Sequence, residues 1–116
     1  MKKQYLIFLL LLSSLCSLSA QTLEEGKTLY DKGEYEKAKP IFAKHIKSNP
    51  ANASYNLWYG VCCLKTGDGN EAIKYLEMAV KKRMSEAKPH LAEAYNTQYR
   101  FEDAIKCYEE YIAEQN

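Results

Sequence analysis

Gly33-Glu-Tyr-Glu-Lys-Ala38 has a counterpart in Gly67-Asp-Gly-Asn-Glu-Ala72 and a looser one in Tyr99-Arg-Phe-Glu-Asp-Ala104. Each segment opens at a helix-breaking or turn-like point and reaches an alanine five residues later. The three alanines stand 34 and 32 residues apart. Four residues beyond each lies a large apolar residue, Phe42, Leu76 and Tyr108. Twelve residues before each lies a small one, Gly26, Gly60 and Ala92. Agreement at three offsets in three copies marks an internal repeat, and self-similarity at such a period means one small unit stacked on itself to bury a shared core.

The pattern has the physics of a helical hairpin. A small residue halfway along the first helix lets the second helix approach closely, and the later alanine completes that contact. The bulky residue four positions on fills the space between neighbouring hairpins. Gly33 and Gly67 sit where the first helix must stop, the usual place for a left-handed cap. Thr22 with Glu25 reads as a capping box that starts a helix near Leu23. The spacing predicts helices at about 23–32, 34–48, 53–66, 70–83, 85–97 and 100–114, with Asn49-Pro50 closing the first hairpin. Pro40 falls in the second turn of its helix, where it removes the bond to the Glu36 carbonyl and favours a slight bend. Helices this short are marginal alone in water and persist only by packing their apolar stripes together.

Working outward, the 116 residues suffice for one ordinary domain. A charged fraction of 27% with 47% apolar residues fits a globular chain and not a disordered one. A net charge of +1 supplies no basic field for a phosphate backbone, which argues against nucleic acid as a partner. Lys81, Lys82 and Arg83 form the one dense basic run, and cations suit the C-terminal end of a helix without any ligand. The first twenty residues stand apart. Lys2 and Lys3 precede the apolar run Tyr5–Leu12 and the small, mildly polar stretch Ser13–Ala20, the order of a secretory signal peptide. Tyr5–Ala20 is 16 residues, short of the roughly 20 a membrane-spanning helix needs. Cleavage after Ala20 is the preferred reading and an uncleaved anchor the alternative; Leu15 before Cys16 argues against a lipidated cysteine. Cleavage removes Lys2 and Lys3, leaving 14 basic residues against 15 acidic ones and no membrane span. Cys62, Cys63 and Cys107 would remain. Three cysteines, two of them adjacent, make no disulfide framework, and Cys62-Cys63 lies within a helical apolar pattern where thiols act as small hydrophobes.

These residues resemble the tetratricopeptide repeat over all of residues 21–116. The family's small, aromatic and alanine positions are carried by Gly26, Gly33, Tyr35, Ala38, Phe42 and Pro50 in the first copy. Gly60, Gly67, Ala72, Leu76 and Ala79 carry them in the second, and Leu91, Ala92, Tyr95, Phe101, Ala104 and Tyr108 in the third. Gly69 departs from the expected aromatic, Tyr99 from the expected glycine, and the second linker is two residues short. The resemblance implies an all-α, right-handed α-α superhelix of about three hairpins (about 22–48, 53–83 and 85–114) following a signal peptide at 1–20. It implies a protein-interaction scaffold without a cofactor. The signal ending in Ala-Gln, joined directly to such repeats, also resembles the start of cell-envelope proteins of Bacteroidetes-type Gram-negative bacteria, in which a β-propeller or a peptidoglycan-binding domain often follows. Export to the periplasm or envelope is the resulting expectation.

Family members bind peptides or partner domains in a concave groove lined by the first helix of each hairpin. Carried over position by position, that groove comprises Lys27, Tyr30 and Asp31, then Leu57, Val61, Leu64 and Lys65, then Glu86, Glu93 and Asn96. Leu57 and Val61 stand where a carboxylate clamp would need polar groups, and Glu93 adds negative charge, so a clamp for a C-terminal carboxylate is not expected. Either the groove has an apolar middle suited to an amphipathic helix or extended apolar segment, or Leu57, Val61 and Leu64 merely pack against the neighbouring first helix. A second surface is expected at the C-terminal end. Arrays of this kind usually finish with a polar-faced helix, yet Ile105, Tyr108, Tyr111 and Ile112 lie on the last one here. Tyr108, Tyr111 and Ile112 are therefore candidates for contact with a partner, a second copy, or a further domain of the same chain, the last being favoured.

Catalytic patterns are weak. Glu86, His90 and Glu93 at i, i+4 and i+7 have a spacing compatible with metal ligation, but polar helix faces produce it often. His45 beside an apolar stripe reads as a packing residue. Cys62-Cys63 is no CxxC motif, and no phosphate loop, nucleophile elbow or triad is present. The ten tyrosines fall at spacings that fill helical cores.

Overall fold

The computed structural model describes residues 22–116. The expected signal peptide, residues 1–20, lies outside them. Among the described residues six helices and no strand follow one another: α1 Leu23–Asp31, α2 Tyr35–Ser48, α3 Ala53–Lys65, α4 Gly69–Lys81, α5 Ala87–Thr97 and α6 Phe101–Gln115. They pair as the hairpins α1–α2, α3–α4 and α5–α6, and each hairpin packs on the one before it.

Local chemistry sets the helix limits. The Thr22 hydroxyl accepts from the Glu25 amide at 3.3 Å, Asn52 Oδ1 from the Tyr55 amide at 3.0 Å, and Asp68 Oδ1 from the Glu71 amide at 3.4 Å. Each side chain satisfies one of the amides that a helix start leaves free. Four helix ends share a left-handed cap closed by two backbone bonds. At Gly33 (φ +76°) the Glu34 amide donates to the Leu29 carbonyl at 2.8 Å; at Gly67 (φ +89°) the Asp68 amide donates to Cys63 at 2.8 Å. The same bond recurs where glycine is missing, at Tyr99 (φ +60°) between Arg100 and Tyr95 and at Arg83 (φ +66°) between Met84 and Ala79. The cap at Arg83 is why α4 stops at Lys81 and not at Arg83 as the spacing predicts. The helix α2 runs unbroken through Pro40.

Close approach is visible at the repeated small positions. A Cβ on Gly60 would lie 2.7 Å from Leu76 Cγ and 3.3 Å from the Leu76 amide nitrogen; one on Gly26 would lie 2.8 Å from Ile41 Cγ2. Ala38, Ala72 and Ala92 are fully buried, as are the wedges Phe42 and Leu76. Gly69, the departure from the repeat pattern, also has a cause. A Cβ there would sit 2.1 Å from Thr97 Oγ1 and 2.6 Å from Gln98 Nε2, so a side chain would obstruct the end of α5 as it passes the start of α4. Buried Asn56 donates to the carbonyls of Pro50 (3.0 Å) and Asn52 (2.7 Å), which ties down the linker between hairpins. The third hairpin is held by Lys88, which pairs with Glu110 at 3.6 Å and with Glu114, and by Tyr95, whose hydroxyl donates to Glu77 Oε1 at 2.6 Å.

Two substitutions test this account. Gly60→Ala forces Leu76 and its backbone apart and should destabilise the chain by about 2 kcal/mol, as overpacking does, lowering Tm by several degrees. Tyr99→Gly should stabilise it by about 1 kcal/mol, because a side chain in the left-handed region is strained and Tyr99 is 82% exposed with little packing to lose. Urea unfolding followed by circular dichroism reads both.

Candidate partner-binding site

The first helices α1, α3 and α5 touch along one side of the stack, and their side chains meet there. Lys27 Nζ of α1 lies 5.5 Å from the centroid of the Trp58 ring on α3, within cation–π range. Trp58 is half-buried, and its ring is backed by Phe42 at 5.5 Å and Tyr55 at 6.2 Å, which fix its plane. Farther along, Lys65 of α3 pairs with Glu93 of α5 at 3.4 Å. His90, half-buried, feels both. Burial pushes its pKa down, Glu93 opposes that, and Lys65 adds to it, leaving the imidazole below its ordinary range.

The expected groove residues divide into two groups. Lys27, Asp31, Lys65, Glu86, Glu93 and Asn96 are exposed or half-buried and available to a ligand. Leu57 is 8% exposed, Val61 1% and Leu64 7%, and all three belong to the central core with Leu76 and Leu91. The apolar groove floor allowed by the sequence is therefore not formed. The middle first helix is flanked by neighbours on both sides as well as by its own partner, and those contacts consume these side chains. Tyr30 is half-buried too, edge-on to Tyr35 at 5.6 Å and Phe42 at 6.0 Å. Burial above all, with Tyr35 next, pushes its hydroxyl up to about 12. Trp58 and His90 take the place of the leucines on this face. The groove reading from sequence passed over Trp58, although the chain's single tryptophan, one residue beyond Leu57, was the available signal.

The C-terminal end is open. Tyr108 is 39% exposed and Ile112 59%, while Tyr111 is half-buried. Phe101 and Ile105, each 56% exposed, extend the patch. The positions 101, 105, 108 and 112 recur every three or four residues and form one stripe along α6.

Cys62 and Cys63 are free and fully buried, and burial raises both thiols, Cys62 to about 12, so neither presents a thiolate. Glu93 is engaged with Lys65, and among the described residues no three His, Cys, Asp or Glu side chains converge to hold a metal. Among them also, no helix is long and apolar enough to cross a membrane. The His45 Nε2 is buried without a hydrogen-bond partner, beside Tyr55 at 5.6 Å between ring centroids.

A stack of helical hairpins with polar and aromatic side chains displayed across its first helices defines a helical-repeat scaffold for protein interaction. The chain belongs to the tetratricopeptide repeat family, whose profile matches residues 23–89, more than half of its length. Its fold is similar to the solved structures MamA AMB-1 C2221 (24% identity, TM-score 0.70, covering 77% of this chain and 54% of that one) and MamA AMB-1 P212121 (25%, 0.68, 75% and 53%). It is also similar to MamA MSR-1 C2 (23%, 0.69, 77% and 52%). The chain thus spans about half the length of these structures. No curated protein matches it.

His90 carries a pH prediction. Its folded pKa lies below its unfolded one, so over that window the unfolded chain binds more protons and stability falls as pH falls. Thermal melts from pH 7.5 to 5 should show Tm dropping on the acid side of about pH 6.5, and His90→Gln should flatten the slope. An unchanged slope would assign the acid sensitivity elsewhere.

Proposed function

We propose that this chain is a non-enzymatic interaction scaffold, exported to the periplasm or cell envelope of a Gram-negative bacterium. It grips a peptide or partner domain across α1, α3 and α5, or at its open C-terminal end. The observation that carries the reading is the line of side chains from Lys27 and Trp58 to Lys65, Glu93 and His90. They span three helices and stay accessible while their apolar neighbours are buried. A cation seated on an indole beside a surface ion pair offers an aromatic contact and both signs of charge, which suits a mixed polar and apolar peptide. Export is supported by the charged, apolar and small-residue order of residues 1–20.

A second reading, a spacer that positions a following β-propeller or peptidoglycan-binding domain, draws support from the exposed stripe on α6, which a covering element would bury. Reversing charge together at Lys27, Lys65 and Glu93 separates the two. In an envelope crosslinking pull-down the reversed protein should lose its adducts at least tenfold with its helical spectrum unchanged. Adducts that survive the reversal would place the partner at the C-terminal end, and a protein that forms no adducts before or after reversal would favour the spacer.

A further inference from the structure

Two grooves lie between the second helices of successive hairpins, and the repeat builds them from the same positions. The first, about 280 Å³, is bordered by Ile46 and Lys47 of α2 and by Lys74, Tyr75 and Met78 of α4. The second, about 300 Å³, lies between α4 and α6. Counted from Ala38, Ala72 and Ala104, Ile46 corresponds to Val80, Lys47 to Lys81, Lys74 to Lys106, Tyr75 to Cys107 and Met78 to Glu110. All five equivalents line the second groove. Each groove is thus flanked by a lysine nine residues past the alanine of one copy and a lysine two residues past the alanine of the next. The outer members of these two series are Ala113 and Pro40, and neither borders a groove. Lysine stands at these offsets where a groove is formed and not at the others.

The packing of the fold gives these lysines no task. Lys47, Lys74, Lys81 and Lys106 are exposed, and none forms an ion pair among the described residues. No carboxylate lines the first groove. The second is lined by three, and each is engaged: Glu77 by the Tyr95 hydroxyl at 2.6 Å, Asp103 by Arg100 at 2.9 Å and Glu110 by Lys88 at 3.6 Å. The unmatched charge beside both grooves is therefore positive.

Below its two lysines the first groove is apolar. Ile46, Pro50 and Met78 line it, and the Tyr75 ring is held edge-on to Tyr59 at 4.6 Å. Asn56, 2% exposed, also lines it. Its Nδ2 is spent on the carbonyls of Pro50 and Asn52, which leaves Oδ1 without a donor among the described residues. An occupant must then bring negative charge, an apolar group and a hydrogen-bond donor. A peptide carries all three, the last in its backbone N–H; a fatty-acid carboxylate lacks the donor. Two equivalent grooves on either side of α4 suit a chain with a repeating pattern better than two separate small molecules.

We propose that the second-helix side of the stack binds an extended acidic segment of a partner protein. An apolar side chain of that segment enters the first groove, with carboxylates at Lys47 and Lys74, and the chain continues over α4 to Lys81 and Lys106. The inference goes beyond the function proposed above, because these lysines belong neither to the face of α1, α3 and α5 nor to the open C-terminal end.

A fluorescein-labelled peptide alternating glutamate and leucine, titrated with the full chain by anisotropy at 150 mM salt, should bind in the micromolar range. The same peptide with glutamine for glutamate, or with glutamate throughout, should bind at least tenfold more weakly, since one lacks the charge and the other the apolar side chains. Lys47→Glu with Lys74→Glu should weaken the alternating peptide at least tenfold, and Lys81→Glu with Lys106→Glu at least threefold. All four positions are exposed, and circular dichroism checks that the chain still folds. The first double variant should also gain affinity for a peptide alternating lysine and leucine, a gain that no unfolded chain would give. Lys27→Glu with Lys65→Glu should leave the affinity unchanged; a loss there would place the peptide on the first-helix face and sink this inference while leaving the broader reading intact. Absence of binding, equal affinity for the glutamine or all-glutamate peptide, or displacement of the peptide by phosphatidylglycerol vesicles would overturn it.

Discussion

The structure depends on how near two helices can come at Gly26, Gly60 and Ala92. None of the six helices exceeds 15 residues, a length at which helical structure is marginal without tertiary support. The support is packing, and packing falls off steeply with distance. At Gly60 the space where a Cβ would stand is already taken by Leu76, whose backbone nitrogen is only 3.3 Å from it. That approach brings Ala72 and Leu76 into full burial and sets the angle at which each hairpin offers its outer face to the next. The same constraint makes the two ends unequal, since every hairpin but the last has its wedge covered.

The repeat was legible because it is a spacing rule. Small, alanine and bulky positions at fixed offsets place helices, turns and wedges without knowledge of any particular contact, and the capping residues Thr22, Gly33 and Gly67 were readable one by one. Depth was not legible. The offset that assigns Leu57, Val61 and Leu64 to the inner side of α3 describes a direction around one helix, while their burial depends on how closely α1 and α5 crowd that direction. An angle and a distance are separate quantities, and one sequence supplies only the first. Gly69 shows the converse. Its departure from the expected aromatic answers a contact with Thr97 and Gln98 nearly thirty residues away, which no local rule could reveal.

The formal charges nearly cancel, to a net +1, so no strong general field draws a partner in. In the proposed function, recognition falls to local groups held at fixed separations. On the face formed by the first helices these are an indole backed by two aromatic rings with a cation above it, and an ion pair bridging two helices. Surface ion pairs contribute little to stability; here the Lys65–Glu93 pair matters more as an arrangement of donors and acceptors than as a staple. Trp58 serves both purposes, since the side packed on Phe42 orders it and the accessible remainder can meet a ligand.

The third hairpin is where binding and stability meet. A left-handed cap on Arg83 precedes it and another on Tyr99 joins its two helices, neither on glycine, and its outermost wedge, Tyr108, lacks the cover that Phe42 and Leu76 enjoy. In a linear stack the stability of each unit is its own plus that of its interfaces, so a unit with strained caps and one bare face opens before the others. A partner at this end, one of the two surfaces in the proposed function, would supply the missing interface by binding only the closed form. By mass action it must stabilise the hairpin beneath it, and through the Glu77–Tyr95 bond and the burial of Leu91 that hairpin is continuous with the central core. Occupancy of the tail is thus coupled to the order of α5, the helix that contributes His90 and Glu93 to the other face. The two surfaces are linked by the packing that builds them, without any moving part between them.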